Sequence, residues 1–279
     1  MKTFTFKDRP DCTLPAGFIY NGATCKDIVV DEMTGLEQHA LSDPKNRQNA
    51  GKALSHILRR VIQEIPNALE RKSNRTFLCD SRYVETMFQC DRDTVILYSL
   101  IYAGQYKQTV NFECEACGEK LYEDIDLREV EIYELEEDEK TYVDIELDHT
   151  FKIEGVEITK CRFRLPTGLD QEKAAKAGGR GEFYAISALL SLCSTFIGME
   201  NGVEVKKTLS VKEVSLLSIG VRNTIMEEMQ DLAPGPDLTQ YSICDACGHE
   251  NELTIDIASF FLPDRKGPRK SKKKSKKRN

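Results

Sequence analysis

The sequence lacks the segments that would carry a chain into or across a membrane. Its amino-terminal stretch, MKTFTFKDRPDCTLPAG, mixes charges and holds no apolar segment, so no signal peptide is predicted. The longest uncharged run, Phe183 to Met199, is seventeen residues, marginal for a bilayer. Within it Ser187, Ser191, Ser194 and Thr195 recur at helical spacing as a polar stripe. Ile186, Leu189, Leu190, Cys193, Phe196 and Ile197 make the opposite face, which predicts a buried helix and no membrane span. Histidine is scarce: His39, His56, His149 and His249 are the only four, and none lies in HExxH or near a GxSxG elbow. Gly178, Gly179 and Gly181 surround Arg180 with no strand before them and no Lys-Ser/Thr after, so they read as a joint and not a phosphate cradle. Paired carboxylates abound, but on predicted solvated strand faces, with no apolar context to raise a pKa for acid catalysis. These absences predict a protein that is not an enzyme; a catalytic site would have to be assembled from residues far apart in sequence.

What is present is an ordinary globular composition of 279 residues, 40% hydrophobic and 30% charged, enough for one large domain or two small ones. The formal charge of -7 is a sum of unlike parts. Residues 265–279 carry ten Lys or Arg and no acid, which leaves 29 basic against 46 acidic residues, or -17, in the rest. The tail RKGPRKSKKKSKKRN is disordered by composition. It reads either as a solubilising extension or as a tether for an acidic surface: a partner subunit, nucleic acid, or the chain's own 123–148 face. An acidic body argues against gripping nucleic acid with the whole surface.

Ten cysteines without a secretion signal point to a reducing compartment, where paired thiols more often hold metal than form disulfides. Four lie in two CxxCG knuckles, CEACG (114–118) and CDACG (244–248). Cys12, Cys25, Cys79, Cys90, Cys161 and Cys193 are scattered and read mostly as small core residues.

The two knuckles belong to a longer self-match. At an offset of 130, residues 80–127 align without gaps on 210–257, with 11 identities in 48 positions. Residue frequencies alone would give roughly three. Asp80 and Ser210 both open the match as helix N-caps, and Arg92-Asp93-Thr94-Val95 resembles Arg222-Asn223-Thr224-Ile225. Upstream, Thr34-Gly35-Leu36-Glu37-Gln38 resembles Thr167-Gly168-Leu169-Asp170-Gln171, each a capping box. The reading is α+β: an internally duplicated pseudo-twofold unit with capped helices and a split zinc-ribbon clasp, plus the disordered basic carboxy-terminal tail. Residues 1–127 form the first repeat with an amino-terminal hairpin, turned by Asn21-Gly22. Residues 128–160 form an acidic β connector, 161–262 the second repeat, and 263–279 the tail. Thirteen acids in 123–148 face only Arg128 and Lys140, and the alternation of Val143, Ile145 and Leu147 with Asp144, Glu146 and Asp148 predicts a half-exposed strand. A second alternation, Cys161, Phe163 and Leu165, predicts another. Long helices are predicted at about 50–65, 81–103, 168–177, 183–198 and 210–232.

Each knuckle supplies half of a four-thiolate shell. Cys114, Cys117, Cys244 and Cys247 are therefore predicted to share one structural zinc, one per chain, that staples the halves together. The 126-residue gap is far wider than in a usual ribbon, so the intervening chain must return. His249 is an alternative ligand, though its place just after Gly248 favours solvent. A redox CxxC is a third reading, weakened because such sites precede helices and both knuckles precede β-like segments. Glu113, Glu115, Glu119, Asp245, Glu250 and Glu252 surround the knuckles against Lys120 alone, which would repel phosphates.

The order LPAGFIYNG, EMTGLEQHAL, LIYAGQYKQTVNFECEACGEKL, FRLPTGLDQEKAA and CDACGHENELTIDIASFF resembles the phage T4-type baseplate protein family, over most of residues 14–262. RLPTGLDQE (164–172) and the closing segment 244–261 are its most specific parts. The resemblance implies a non-enzymatic component of the hub region of a contractile-tail baseplate, or a factor for its assembly. It implies protein–protein contacts with hub and tail-tube subunits or copies of itself, and a place in the virion tail after synthesis in the host cytoplasm. The tail beyond Pro263 is outside the pattern. The alternative is a zinc-ribbon regulator that binds nucleic acid through 265–279.

Overall fold

The computed structural model describes residues 12–20, 23–43, 49–65, 78–136, 140–232, 234–255 and 257. The basic tail lies outside them. Strands β1 (Cys12–Tyr20) and β2 (Ala23–Val30) form the hairpin that Asn21-Gly22 predicts, with Tyr20 opposite Ala23, although the two turn residues are not among those described. After them come helices α1 (Gly35–Ser42) and α2 (Ala50–Val61), strand β3 (Ile62–Glu64), and helices α3 (Ser81–Thr86) and α4 (Gln89–Tyr102). Strands β4 (Lys107–Glu113) and β5 (Lys120–Asp126) pair around the first knuckle. Strand β6 (Ile132–Tyr133) leads on to β7 (Tyr142–Ile153) and β8 (Val156–Arg164), and these to helices α5 (Gly168–Gly178) and α6 (Glu182–Cys193). Strands β9 (Ser194–Glu200) and β10 (Val203–Lys207), helices α7 (Val211–Val214) and α8 (Ile219–Leu232), and strand β11 (Gly235–Pro236) complete the body. Strands β12 (Thr239–Ile243) and β13 (Glu250–Thr254) pair around the second knuckle.

The content is α+β. The larger sheets are ordered β1-β2-β3 and β10-β9-β8-β7, and β6 pairs with β11. A similar order of elements occurs twice, hairpin, capped helix, helix running straight into a strand, short helix, long helix, knuckle hairpin, with β10 and β11 added in the second run. Two large apolar cores and a small third of Ala16, Cys90 and Leu165 go with it. The first gathers Phe18, Leu58, Ile62, Met87 and Leu97, and Ile255 joins it from the far end of the chain. The second gathers Ile158, Phe163, Leu190, Phe196, Val214 and Ile225. Each such side chain, fully buried, contributes about 1.5–3 kcal/mol. Of the scattered cysteines, Cys12, Cys79, Cys90, Cys161 and Cys193 are buried and Cys25 is half-buried.

The capping boxes form as predicted. The amide and hydroxyl of Thr34 donate to Glu37 Oε2, both at 2.7 Å, and those of Thr167 donate to Asp170 Oδ2 at 2.9 and 2.7 Å. The alternating strand also forms. Ile145 and Leu147 are buried, while exposed Asp144 and Glu146 pair with Arg162 and Lys160 directly across β8.

Four predicted helices end early or break. The first stops at Val61, because Ile62 and Glu64 pair with Val30 and Val29 of β2. The run predicted as helix to 198 stops at Cys193. Ser194 and Phe196 pair with Phe163 and Cys161 of β8, so a short apolar run of helical spacing becomes a buried strand. In both cases the strand's first amide closes the helix, Ile62 on Leu58 and Ser194 on Leu190. The predicted 81–103 helix breaks at Met87-Phe88, where Phe88 bridges to Thr167. The predicted 210–232 helix breaks over Ser215–Ser218. No helix among the described residues is long and apolar enough to cross a membrane.

RLPTGLDQE is where the two element sets meet. The Gln89 amide donates to Pro166 O at 2.8 Å, the Gly168 amide to Met87 O at 2.9 Å, and Asn49 Nδ2 to Glu172 O at 2.9 Å. Arg164 forks onto Asp170 at 2.7 and 3.1 Å and reaches Leu192 O, tying β8 to the end of α6. Arg92, fully buried, donates to Val84 O at 2.6 Å, Ser55 Oγ at 3.0 Å and Gly51 O at 3.3 Å. Burial lowers its guanidinium to about 10, so it stays cationic at neutral pH. Two glycines permit this packing: a Cβ on Gly168 would stand 1.9 Å from Arg92 Nη1, and one on Gly51 2.8 Å from the Glu172 backbone.

Candidate metal centre

Each knuckle is a tight turn closed by its own backbone. In the first, the Gly118 amide donates to Cys114 O at 2.8 Å and the Cys114 amide to Glu119 O at 2.8 Å. In the second, Gly248 donates to Cys244 O at 2.7 Å and Cys244 to His249 O at 2.8 Å. Gly118 and Gly248 share φ = +74°, and nothing lies within 4 Å of where a Cβ would stand on either. Left-handed backbone, not crowding, is what calls for glycine there.

The hairpins β4-β5 and β12-β13 bring all four predicted ligands together. The Sγ atoms of Cys114, Cys117, Cys244 and Cys247 lie within 4.8 Å of one another. Cys114 Sγ is 3.7 Å from Cys247 Sγ, and Cys117 Sγ is 3.7 Å from Cys244 Sγ, both across the two hairpins. A tetrahedron with metal–sulfur bonds of about 2.3 Å has edges of about 3.8 Å, whereas a disulfide needs about 2.05 Å. The spacing fits a four-thiolate ion and not a bridged pair. Both 3.7 Å contacts run between the knuckles. Cys114 and Cys244 are buried, Cys117 and Cys247 exposed. His249 is exposed and joins the turn through its carbonyl.

The protons point the same way. Burial raises the Cys114 thiol, but hydrogen bonds from the amides of Cys117 and Ala116 and from the Cys247 and Cys117 thiols outweigh it and bring it down to about 6. The Glu119 amide favours a Cys117 thiolate, yet the sulfurs of Cys247, Cys114 and Cys244, together with desolvation, push that thiol up to about 12. One thiolate forms readily and a second is opposed by the first. A cation at the centre removes that opposition.

Two further residues join the hairpins. Asn251, 2% exposed, accepts the Glu115 amide on Oδ1 at 3.0 Å, while its Nδ2 donates to Ser242 O and His249 O. Ser242 Oγ donates to Glu123 Oε2 at 2.7 Å. Sequence reasoning missed both. The available signal was a departure from the repeat, since Asn251 and Ser242 align with Leu121 and Phe112. Glu113, Glu115, Glu119, Asp245, Glu250 and Glu252 are all exposed around the cluster.

Two hairpins far apart along the chain, one near its middle and one near its carboxy-terminal end, are thus brought together, with four thiols converging and a buried asparagine between them. The chain belongs to the T4 bacteriophage base plate protein family, whose model matches residues 19–262. A search of curated proteins and a search of solved structures each found no match.

Proposed function

We propose that this chain is a non-enzymatic structural or assembly component of a contractile-tail baseplate, in its hub region, acting through protein–protein contacts. The observation that carries the reading is the four-thiol cluster joining distant hairpins in a member of a base plate family. Zinc, one per chain, is the ion this ligand set favours, with all four positions filled by protein. When bound it would hold the hairpins together and leave no open position for chemistry. The family supports a place in the virion tail, with other tail proteins as neighbours: hub and tail-tube subunits and copies of this chain.

The repeated order of elements supports a duplicated unit whose second copy opens with the β7–β8 hairpin (Tyr142–Arg164), so that most of the segment 128–160 read as a connector belongs with 161–262. The strongest support is a shared polar contact. Ser55 Oγ, within donating reach of Gly51 O and of Glu172 Oε1, receives Arg92 Nη2 at 3.0 Å, while Ser187 Oγ donates to Phe183 O and receives Arg222 Nη2 at 3.0 Å.

Tracing the chain through purification of tails and their assembly intermediates tests the function. A fixed copy number in either supports it, and absence from both refutes it. The nucleic-acid reading through 265–279 is separated by a binding series in salt with and without that segment. Steep salt dependence that vanishes with the segment would favour a regulator.

A further inference from the structure

We infer that the chain docks head-to-tail on a second copy of itself: helix α1 of one copy sits on the α6–α7–α8 face of the next. This would repeat between chains the contact that α5 makes with α2, α3 and α4 within one chain. The inference rests on the duplication proposed above and not on the baseplate role.

The donor side is α1. Thr34-Gly35-Leu36-Glu37 corresponds to Thr167-Gly168-Leu169-Asp170 and carries the same capping box. Gly168 is buried against Arg92, whereas Gly35 is exposed, and a Cβ on it would meet nothing within 4 Å. Its φ is not left-handed, so nothing inside the chain calls for glycine at that position. Further along, Gln171 and Glu172 are half-buried on the first element set, while Gln38 and His39 are exposed. Leu36 is 48% exposed.

The receptor side is the α7–α8 junction with the start of α6. Leu217-Ser218-Ile219 correspond to Met87-Phe88-Gln89, which hold residues 166–168 by two backbone hydrogen bonds and a bridge. At the corresponding positions the Ile219 amide and the Leu217 carbonyl have no partner among the described residues. Arg222 makes the serine contact of Arg92, but it is half-buried where Arg92 is fully covered by α5. Leu216, Ile219 and Phe183 are 80%, 76% and 75% exposed, and Leu216 also lines a groove of about 640 Å³ that runs to Phe151 and Val221.

The two faces differ in one instructive way. Phe183 stands where Gly51 lets α5 approach, so a docked α1 sits further out and meets side chains instead of backbone. The receptor offers Phe183, Leu216 and Ile219 where the internal contact has Gly51, Thr86 and Gln89. An internal contact is held by the chain itself. Association must also overcome lost translational freedom, which larger apolar groups offset. Because donor and receptor are different surfaces, the contact is heterologous, and successive copies form a ring or a filament.

Sedimentation velocity of the full-length, zinc-loaded chain tests this. Wild type is expected to shift to dimers and larger species as concentration rises. Leu36→Glu and Ile219→Glu are each expected to remain monomeric, and their equimolar mixture to give a one-to-one dimer and nothing larger. That complementation requires one intact donor and one intact receptor, and it shows that both variants are folded. A monomeric wild type, variants that still self-associate, or a mixture that does not pair would each overturn the docking. The duplication fails separately, if Ser187→Ala proves silent in denaturant unfolding where Ser55→Ala destabilises.

Discussion

The guanidinium of Arg92 lies directly over Gly168, so close that a methyl group on the glycine would stand 1.9 Å from Nη1 and 2.2 Å from Val84 O. Arg92 is on α4 and Gly168 opens α5, so this one approach fixes how the two element sets meet. Neither atom can yield easily, because Arg92 is fully buried and Val84 O belongs to the backbone of α3.

Gly168→Ala should therefore destabilise the protein by about 3 kcal/mol or more, the upper range for overpacking a filled site. Gly35→Ala, at the corresponding position of α1, should change stability by no more than about 0.5 kcal/mol. Urea unfolding of both variants checks this. Equal losses would mean that contact with Arg92 is not what glycine serves at 168.

The metal gives a second prediction. Elemental analysis of gently purified protein should find one zinc per chain, and Cys244→Ser should lower that content while destabilising both cores together. Hydrogen exchange read separately at Leu97 and Ile225 resolves the two cores. Two zincs per chain, none, or loosening of one core alone would be incompatible with a shared ion.

Asn251→Ala should leave the Glu115 amide without its acceptor. The expected loss is about 1–3 kcal/mol, with faster release of zinc to a chelator, since the hairpins then lose a buried link and keep the sulfurs and the Ser242–Glu123 bond. Release at the wild-type rate would show that Asn251 does not position the clasp.

Asp91 supplies a pH dependence. Burial pushes its carboxyl up to about 6, although the amides of Ala16 and Gly17 donate to Oδ1 at 2.8 and 3.2 Å and Lys26 adds some relief. The folded chain holds this proton more tightly than the unfolded chain, whose Asp titrates near 3.8. Its contribution to stability is thus greatest below that value and falls as pH rises through about 6, by about 3 kcal/mol in all. Asp91→Asn keeps the accepting oxygen and should flatten that slope. Comparing its stability with wild type from pH 4 to 7 cancels the separate pH dependence of the metal; parallel curves would contradict the assignment.

Local features were legible in the sequence because residues a few positions apart produce them. Asn21-Gly22 marked the place of the β1–β2 hairpin, Thr34 and Thr167 capped their helices, and Ile145 and Leu147 alternated inward. The four cysteines were legible as one cluster because CxxCG sets its own turn and the self-match set the two knuckles side by side as a pair. Helix ends were not legible. Ile62 and Ser194 follow helical spacing, and only strand partners elsewhere in the chain turn them to β structure.

By itself the sequence determined the capped helices, the alternating strands and the paired thiols, because backbone preference and side-chain period act over short range. The tertiary structure decided where helices stop, which glycines are needed and which side chains join the clasp. Gly51 and Gly168 matter only because α5 lies against α2 and α4, and Asn251 only because the second hairpin meets the Glu115 amide. Such contacts depend on the approach of surfaces far apart along the chain, and no local pattern records that distance.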